Sequence, residues 1–220
     1  MRKVALLLLI SLLVSGCHHG RIGGVKGSGN RQTQKREIAP FTSISTEGAF
    51  TIEVVCQKDL SLEVEGDDNI LPLVTSDVSG NELRLSNKGS YSTSEPVKFR
   101  ISVPNLEGLT VNGAGNIAIK GMKNDKFEID ADGAPTINVA GTTKLVDIHT
   151  NGAGKINTNN LNAVRAVVNS NGAAQVEVDV DEQLDVTVNG PSSVTYKGDP
   201  VVNKNVNGPG KVARRASEGA

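Results

Sequence analysis

The chain has 220 residues, a formal net charge of −1, 3% aromatic residues and no tryptophan. A near-neutral balance supplies no basic field for nucleic acid or for an anionic membrane surface, and a core this poor in aromatics must be built from Val, Ile, Leu and Ala. The 24 glycines and many asparagines suit tight turns, and the absence of a long i, i+3, i+4, i+7 apolar pattern sets the expected class as all-β.

Arg2 and Lys3 precede an apolar run, residues 4–14, that ends in Val14-Ser15-Gly16-Cys17. At roughly a dozen residues the run is short for a membrane span, which needs about 20. The layout is that of a secretory signal. An ordinary cut near Gly16 is one reading. The ending also resembles the bacterial lipoprotein box, in which small residues fit the peptidase and the cysteine after the cut accepts diacylglycerol. Residues 1–16 are therefore expected to be a lipoprotein signal peptide, cut between Gly16 and Cys17, with Cys17 lipidated. Acyl chains contribute about 0.8 kcal/mol per buried methylene, so several of them anchor a chain stably. By resemblance to lipoprotein sorting in two-membrane bacteria, His18 rather than Asp after the cysteine points to the outer membrane. A lipidated Cys17 leaves Cys56 without a disulfide partner. His18 and His19 stand together without a third ligand, which favours an incidental pair over a metal site.

Residues 17–37 read as the lipidated cysteine and a flexible tether. Gly20, Gly23, Gly24, Gly27 and Gly29 alternate there with polar residues, leaving too little apolar surface to order the segment. Residues 38–213 read as the folded domain. Its first half alternates like strands: Ile44, Thr46, Ile52, Val54 and Cys56; Leu60, Leu62 and Val64; Leu83 and Leu85; Val97, Phe99, Ile101 and Val103. Gly66-Asp67-Asp68-Asn69 and Ser79-Gly80-Asn81 read as turns, and residues 89–96 as a polar loop. Cys56 shares the parity of Ile52 and Val54 and is expected to be a buried, inert thiol.

From residue 109 onward one phrase returns. The glycines Gly113, Gly133, Gly152, Gly172, Gly190 and Gly208 are spaced 20, 19, 20, 18 and 18 residues apart, each after Asn or Asp and before Ala or Pro. Glu47-Gly48-Ala49 is an outlying copy. Four positions after each Gly stand Ile52, Ile117, Ile137, Ile156, Val176, Val194 and Val212, all β-branched residues that fit a pleated, packed surface. Six after stand Val54, Ile119, Val139, Thr158, Val178 and Tyr196, and then Arg214, where the pattern ends. Four before stand Ile44, Leu109, Ile129, Ile148, Val168 and Val186, and then Lys204, which breaks the column. A fixed period of about 20 residues marks a stacked repeat.

Each copy is a strand, a tight corner and a second strand. The expected architecture is a β-helix, a solenoid of stacked ~20-residue turns with a less regular N-terminal β portion. A meander of hairpins closing on Asn-Gly is the alternative. A two-residue hairpin at Asn112-Gly113 splits the aliphatics between faces, whereas a three-residue loop restores them. The solenoid also accounts for the repeating corner. The residue after each Gly would sit under its own copy about 4.8 Å away, where only a small side chain fits. Asn112, Asn151, Asn171, Asn189 and Asn207 would stack and hydrogen-bond along the axis. The tail, residues 214–220, is expected to cap the last turn or to be disordered.

Phe41-x-x-Ile44 before Gly48-Ala49-Phe50, the Asp68-Asn69-Ile70-Leu71 turn, Ile101-x-Val103-Pro104-x-Leu106 leading into Leu109, and the Asn-Gly-Ala-Gly run together resemble the putative auto-transporter adhesin head (GIN) domain family of bacterial envelope lipoproteins. The resemblance covers about residues 38–212. It implies a β-helix shaped like pectate-lyase-like proteins, a role in adhesion and no established active site.

The titratable residues offer few arrangements suited to chemistry. Enzymes on right-handed β-helices often cleave acidic polysaccharides with clustered carboxylates and calcium. Glu177, Asp179 and Asp181 are a weak calcium candidate, since alternation would put them on one outward face at about 6.8 Å intervals. The next repeat places Lys197 beside Asp179, which favours a solvated charge ladder. Asp147 and His149 share a face, yet no serine or cysteine nucleophile has a motif around it. Left-handed hexapeptide acyltransferases fit poorly, because the aliphatics here do not recur every six residues. Sugar binding favours exposed aromatic platforms, and Tyr91 and Tyr196 are the only tyrosines. No catalytic residue and no cofactor are assigned. The expected function is a lipid-anchored, non-catalytic envelope module for adhesion or interaction, with the membrane as one partner through Cys17, a glycan or protein surface as another, and no nucleic acid. A polysaccharide-acting enzyme and a purely structural envelope protein are the alternatives.

Overall fold

The computed structural model describes residues 24–215. The expected signal peptide, Cys17, the His18-His19 pair and residues 216–220 lie outside the described residues. The chain forms β1 (Val25–Lys26), β2 (Arg31–Lys35), β3 (Ser43–Gly48), β4 (Thr51–Cys56) and β5 (Ser61–Asp67), then a 3-10 turn (Leu71–Leu73). It continues through β6 (Val74–Ser79), β7 (Glu82–Asn87), β8 (Tyr91–Ser92), β9 (Lys98–Val103) and β10 (Gly108–Gly113). Long bent strands follow: β11 (Asn116–Gly133), β12 (Thr136–Thr150), β13 (Lys155–Asn171) and β14 (Gln175–Asn189). The last turn is β15 (Ser193–Lys197), β16 (Val201–Asn207) and β17 (Lys211–Arg214). Among the described residues no helix is long and apolar enough to cross a membrane.

The repeat is a β-solenoid. Leu109 pairs with Ile129, Ile129 with Ile148, Ile148 with Val168, Val168 with Val186, and Val186 with Lys204, all in parallel. Past the corner, Ile52, Ile117, Ile137, Ile156, Val176, Val194 and Val212 form one parallel column. Parallel pairing of successive copies rules out the hairpin meander, whose strands would run antiparallel. Ile129, Ile137, Ile148 and Ile156 are completely buried, each contributing about 1.5–3 kcal/mol relative to exposure.

The N-terminal end is closed by a change of strand direction. On one face β7 continues the parallel stack onto β3, and β6 then turns back antiparallel. On the other face β9 stacks parallel on β4, β5 returns antiparallel, and β2 adds a further antiparallel strand. Phe50 and Phe99 fill this end edge to face, with centroids 5.2 Å apart. Arg36 links the two edges, donating from Nη1 to the Val74 carbonyl at 2.9 Å and from Nη2 to the Leu71 carbonyl at 3.2 Å.

Three sequence expectations are corrected. From Val25 onward the segment read as a tether is paired: β1 lies parallel to β8, inside the stretch read as a polar loop, and β2 pairs with β5. Polar groups order it without apolar burial. Ser28 Oγ and Asn30 Nδ2 donate to the Asp68 carboxylate, Asn69 Oδ1 accepts from the Ser28 N–H, and the buried Asp67 accepts from the Gly29 N–H and Thr93. Secondly, the small residue after each corner glycine faces solvent, as Ala114, Ala134, Ala153 and Ala173 all do. The enclosed column stands one position later, at Phe50, Gly115, Pro135, Gly154, Ala174 and Ser192. Finally, the alternation expected through Glu177, Asp179 and Asp181 fails at Asp179. Val178, Asp179 and Val180 are all buried, where the register between β13 and β14 shifts.

Candidate functional site

The corner is set by backbone contact between layers. Gly48, Gly113 and Gly133 stack in register, and a Cβ placed on Gly133, Gly152 or Gly172 would strike the carbonyl oxygen of the glycine one layer below. The stacked N–H groups use those same carbonyls: Ala134 donates to Gly113 at 3.0 Å, Ala153 to Gly133 at 2.7 Å and Ala173 to Gly152 at 2.9 Å. Where Ser192 enters the column, its hydroxyl donates to the Gly172 carbonyl at 2.8 Å and accepts from the Ala174 N–H at 3.1 Å.

Beside the glycines four of the five asparagines expected to stack, Asn151, Asn171, Asn189 and Asn207, form a ladder, and Asn112 does not join it. Asn207 Nδ2 donates to Asn189 at 2.8 Å, Asn189 to Asn171 at 2.7 Å, Asn171 to Asn151 at 3.0 Å, and Asn151 to Asp132 at 2.9 Å. The run of donors points one way and ends on a carboxylate, which when ionised only accepts.

The outward rows flanking this ladder are polar and in register. One row reads Ser45, Thr110, Asp130, His149, Asn169, Thr187 and Asn205. His149 Nε2 lies 3.0 Å from Asp147 Oδ1, so the pair seen in the sequence does meet. Lys126 sits between Glu128 at 2.8 Å and Asp147 at 3.9 Å, and its hydrogen bond to Glu128 raises its pKa. Burial, reinforced by Glu128, raises the pKa of Asp130. This is a mixed charge lattice on a sheet face. The thiol of Cys56 is buried, and burial pushes its pKa from 9.0 to about 11, away from nucleophilic use.

Past the corner the three carboxylates of the calcium candidate each take a different partner. Glu177 binds Arg215 at 3.2 Å, Lys155 at 4.0 Å and the amide of Asn159. Asp179 binds Lys197 at 2.8 Å, the pairing expected from the register. Asp181 accepts from Asn162 Nδ2 at 3.1 Å. Among the described residues no group of three His, Cys, Asp or Glu is arranged to hold a metal. Tyr196 packs partly buried against the core, and Tyr91 is half-buried in β8.

The far end of the solenoid was marked in the sequence only by the broken columns at Lys204 and Arg214. Among the described residues β16 is hydrogen-bonded to β14 alone and β17 to β15 alone. No described residue pairs with the outer edge of either strand.

The family pattern of the putative auto-transporter adhesin, head GIN domain, matches residues 40–200. A putative adhesin from Bacteroides fragilis is similar in structure, with a TM-score of 0.70 and 24% identity over 87% of this chain and 100% of that one. A putative adhesin from Parabacteroides distasonis is similar with a TM-score of 0.60 and 20% identity over 88% of this chain and 100% of the other. At these identities the likeness fixes the fold. No curated protein matches the chain.

Proposed function

The chain belongs to the putative auto-transporter adhesin, head GIN domain family, and from that premise we propose a lipid-anchored, non-catalytic module of the bacterial cell envelope that works by adhesion or interaction. The observation that carries this reading is the set of in-register polar rows on the solenoid's outer faces. Such rows offer a glycan or protein surface many weak hydrogen bonds in a fixed spacing of about 4.8 Å. No enclosed cavity is needed for that. The carboxylates best placed for chemistry, Glu177 and Asp179, are each neutralised by a cation, which favours a structural role for them.

The anchor at Cys17 gives the domain an orientation. Only seven residues lie between Cys17 and Val25, and the eight residue steps reach at most about 28 Å at roughly 3.5 Å per step. The closed N-terminal end then sits near the membrane. Seven stacked corners from Gly48 to Gly208 raise the other end by about 29 Å.

Protease shaving of intact cells, with a periplasmic protein as control, tests the reading. Release of the domain is the expected result, and Cys17→Ser is expected to move the chain into the soluble fraction. Protection until the outer membrane is broken would remove adhesion and direct the search to partners within the envelope.

A further inference from the structure

The two ends of the solenoid are built differently. At the N-terminal end antiparallel strands close both faces. At the C-terminal end the inward columns simply emerge. Leu184, Val186 and Val188 of β14 are buried because β16 covers them, pairing with Val202, Lys204 and Val206. Nothing among the described residues covers β16 in turn. Val206 is 36% exposed, although its column (Val111, Ala131, Thr150, Ser170, Val188) is buried in the layers before it. Lys204 is exposed where those layers carry an aliphatic. The family match ends at residue 200, so this last turn lies beyond it.

Solenoids need their terminal layers capped, and a lysine on an edge strand is a common guard against self-pairing. The charges at this end do discourage a second copy. Residues 201–215 carry Lys204, Lys211, Arg214 and Arg215 and no acidic residue. Full-length antiparallel pairing of β16 with itself opposes Lys204 to Lys204. The same pairing of β17 opposes Lys211 to Arg214. At the N-terminal end of another copy the outermost strands are β6 and β2, each antiparallel to its own neighbour rather than a continuation of the parallel stack. Arg214 and Arg215 are held by Asp199 and Glu177 at 3.1 and 3.2 Å, whereas Lys204 has no carboxylate partner among the described residues.

A guard alone would leave Val202 and Val206 half-covered on either side of an unneutralised cation. We propose that the open edge of β16 is a docking site for an extended acidic segment of a partner polypeptide, added as one more strand. The face to be covered reads Val202-Lys204-Val206. The complementary strand therefore reads aliphatic-x-acidic-x-aliphatic, with the carboxylate over Lys204. That pattern is the same in both directions, so it holds for parallel or antiparallel addition. Main-chain hydrogen bonds supply affinity in such strand addition and alternate side chains supply specificity. Lys204 supplies the discrimination, since a cation placed opposite it is repelled. The ion pair is near solvent, so binding weakens as salt is added. This site is separate from the lateral polar rows and does not depend on which side of the membrane the domain faces.

The test uses the full chain in detergent and two fluorescent peptides, Ser-Val-Thr-Glu-Thr-Val-Ser and its counterpart with Lys in place of Glu. Fluorescence anisotropy reads affinity, and hydrogen exchange locates the contact. The acidic peptide is expected to bind at least about tenfold more tightly than the basic one, one charge-pair preference being worth about 1.4 kcal/mol, and to slow exchange in β16. Lys204→Glu is expected to reverse the preference, and Lys204→Gln to abolish it. Lys204 is exposed and these changes remove no hydrogen bond, so circular dichroism should be unaltered. Equal or absent binding of the two peptides, an unchanged preference in Lys204→Glu, or a dimer in sedimentation with β16 already protected would each overturn the proposal. Failure here would leave the cell-shaving result untouched, and the reverse also holds.

Discussion

At Gly152 the backbone of one layer leaves no room for a methyl group from the next. An added Cβ meets the Gly133 carbonyl oxygen, the acceptor for the Ala153 N–H. Gly152→Ala is therefore expected to cost roughly 2–3 kcal/mol through overpacking, a fall of about 5–10 °C in melting temperature for a domain of this size. Ala153→Leu, one residue along, points into solvent and should stay within about 0.5 kcal/mol. Thermal unfolding of the two variants separates a corner limited by backbone approach from one limited by the alanine column. Asp130 couples the stability of the fold to pH. Its pKa is raised in the fold by burial and by Glu128, so the folded state holds the proton more tightly than the unfolded state does. Its contribution is most favourable below the ordinary carboxylate range and is lost as pH rises through the raised value. Asp130→Asn should accordingly raise the melting temperature at pH 7, and the gain should vanish as pH falls below about 4. A pH series of melting curves checks both the sign and the window.

The element that joins the layers outside the core is the amide ladder. Asn171 both donates to Asn151 and accepts from Asn189, so Asn171→Ala cuts two bonds and interrupts the run. Each exposed bond contributes at the low end of about 0.5–1.5 kcal/mol, and a loss near 1 kcal/mol in urea unfolding is the expected result. Asn112 has no ladder bond to Asp132, and Asn112→Ala should change little. The ladder, the aliphatic columns and the Lys197–Asp179 pairing were all readable from spacing alone, because a parallel in-register stack repeats every contact at the sequence period. Two features were not readable. Which small residue lies inside the corner depends on the backbone torsions there, and Ala153 and Gly154 are equally small on paper. The N-terminal clasp was hidden because Ser28 and Asn30 are ordered by Asp68 and Asn69, about forty positions away. A Gly-rich polar stretch looks the same in sequence whether or not such partners exist.

Across the whole molecule the two ends differ in what they bury, and this sets a gradient of local stability. A solenoid's stability is close to a sum of layer terms and neighbour terms. The middle layers, β11 to β13, have neighbours on both sides and fully buried aliphatics at Ile129, Ile148 and Ile156. The first layers gain neighbours from β2, β5, β6 and β7, together with the Arg36 bonds and the Phe50–Phe99 contact. Among the described residues the last layer has one neighbour per strand, a lysine in an inward column and half-buried valines. Opening should therefore begin at β17 and β16 and spread toward the middle, because those strands break the fewest bonds and expose the least apolar surface when they leave. Native-state hydrogen exchange on the full chain should show β16 and β17 exchanging fastest, β11 to β13 slowest, and β2 and β5 nearer to the middle than to the far end. The contrast between β2 and β16 decides the matter. Both are edge strands with mostly exposed side chains, so equal exchange would mean that the clasp and the antiparallel cap add no stability. Faster exchange in β16 would mean that the cap works and that the opposite end retains an edge free to pair.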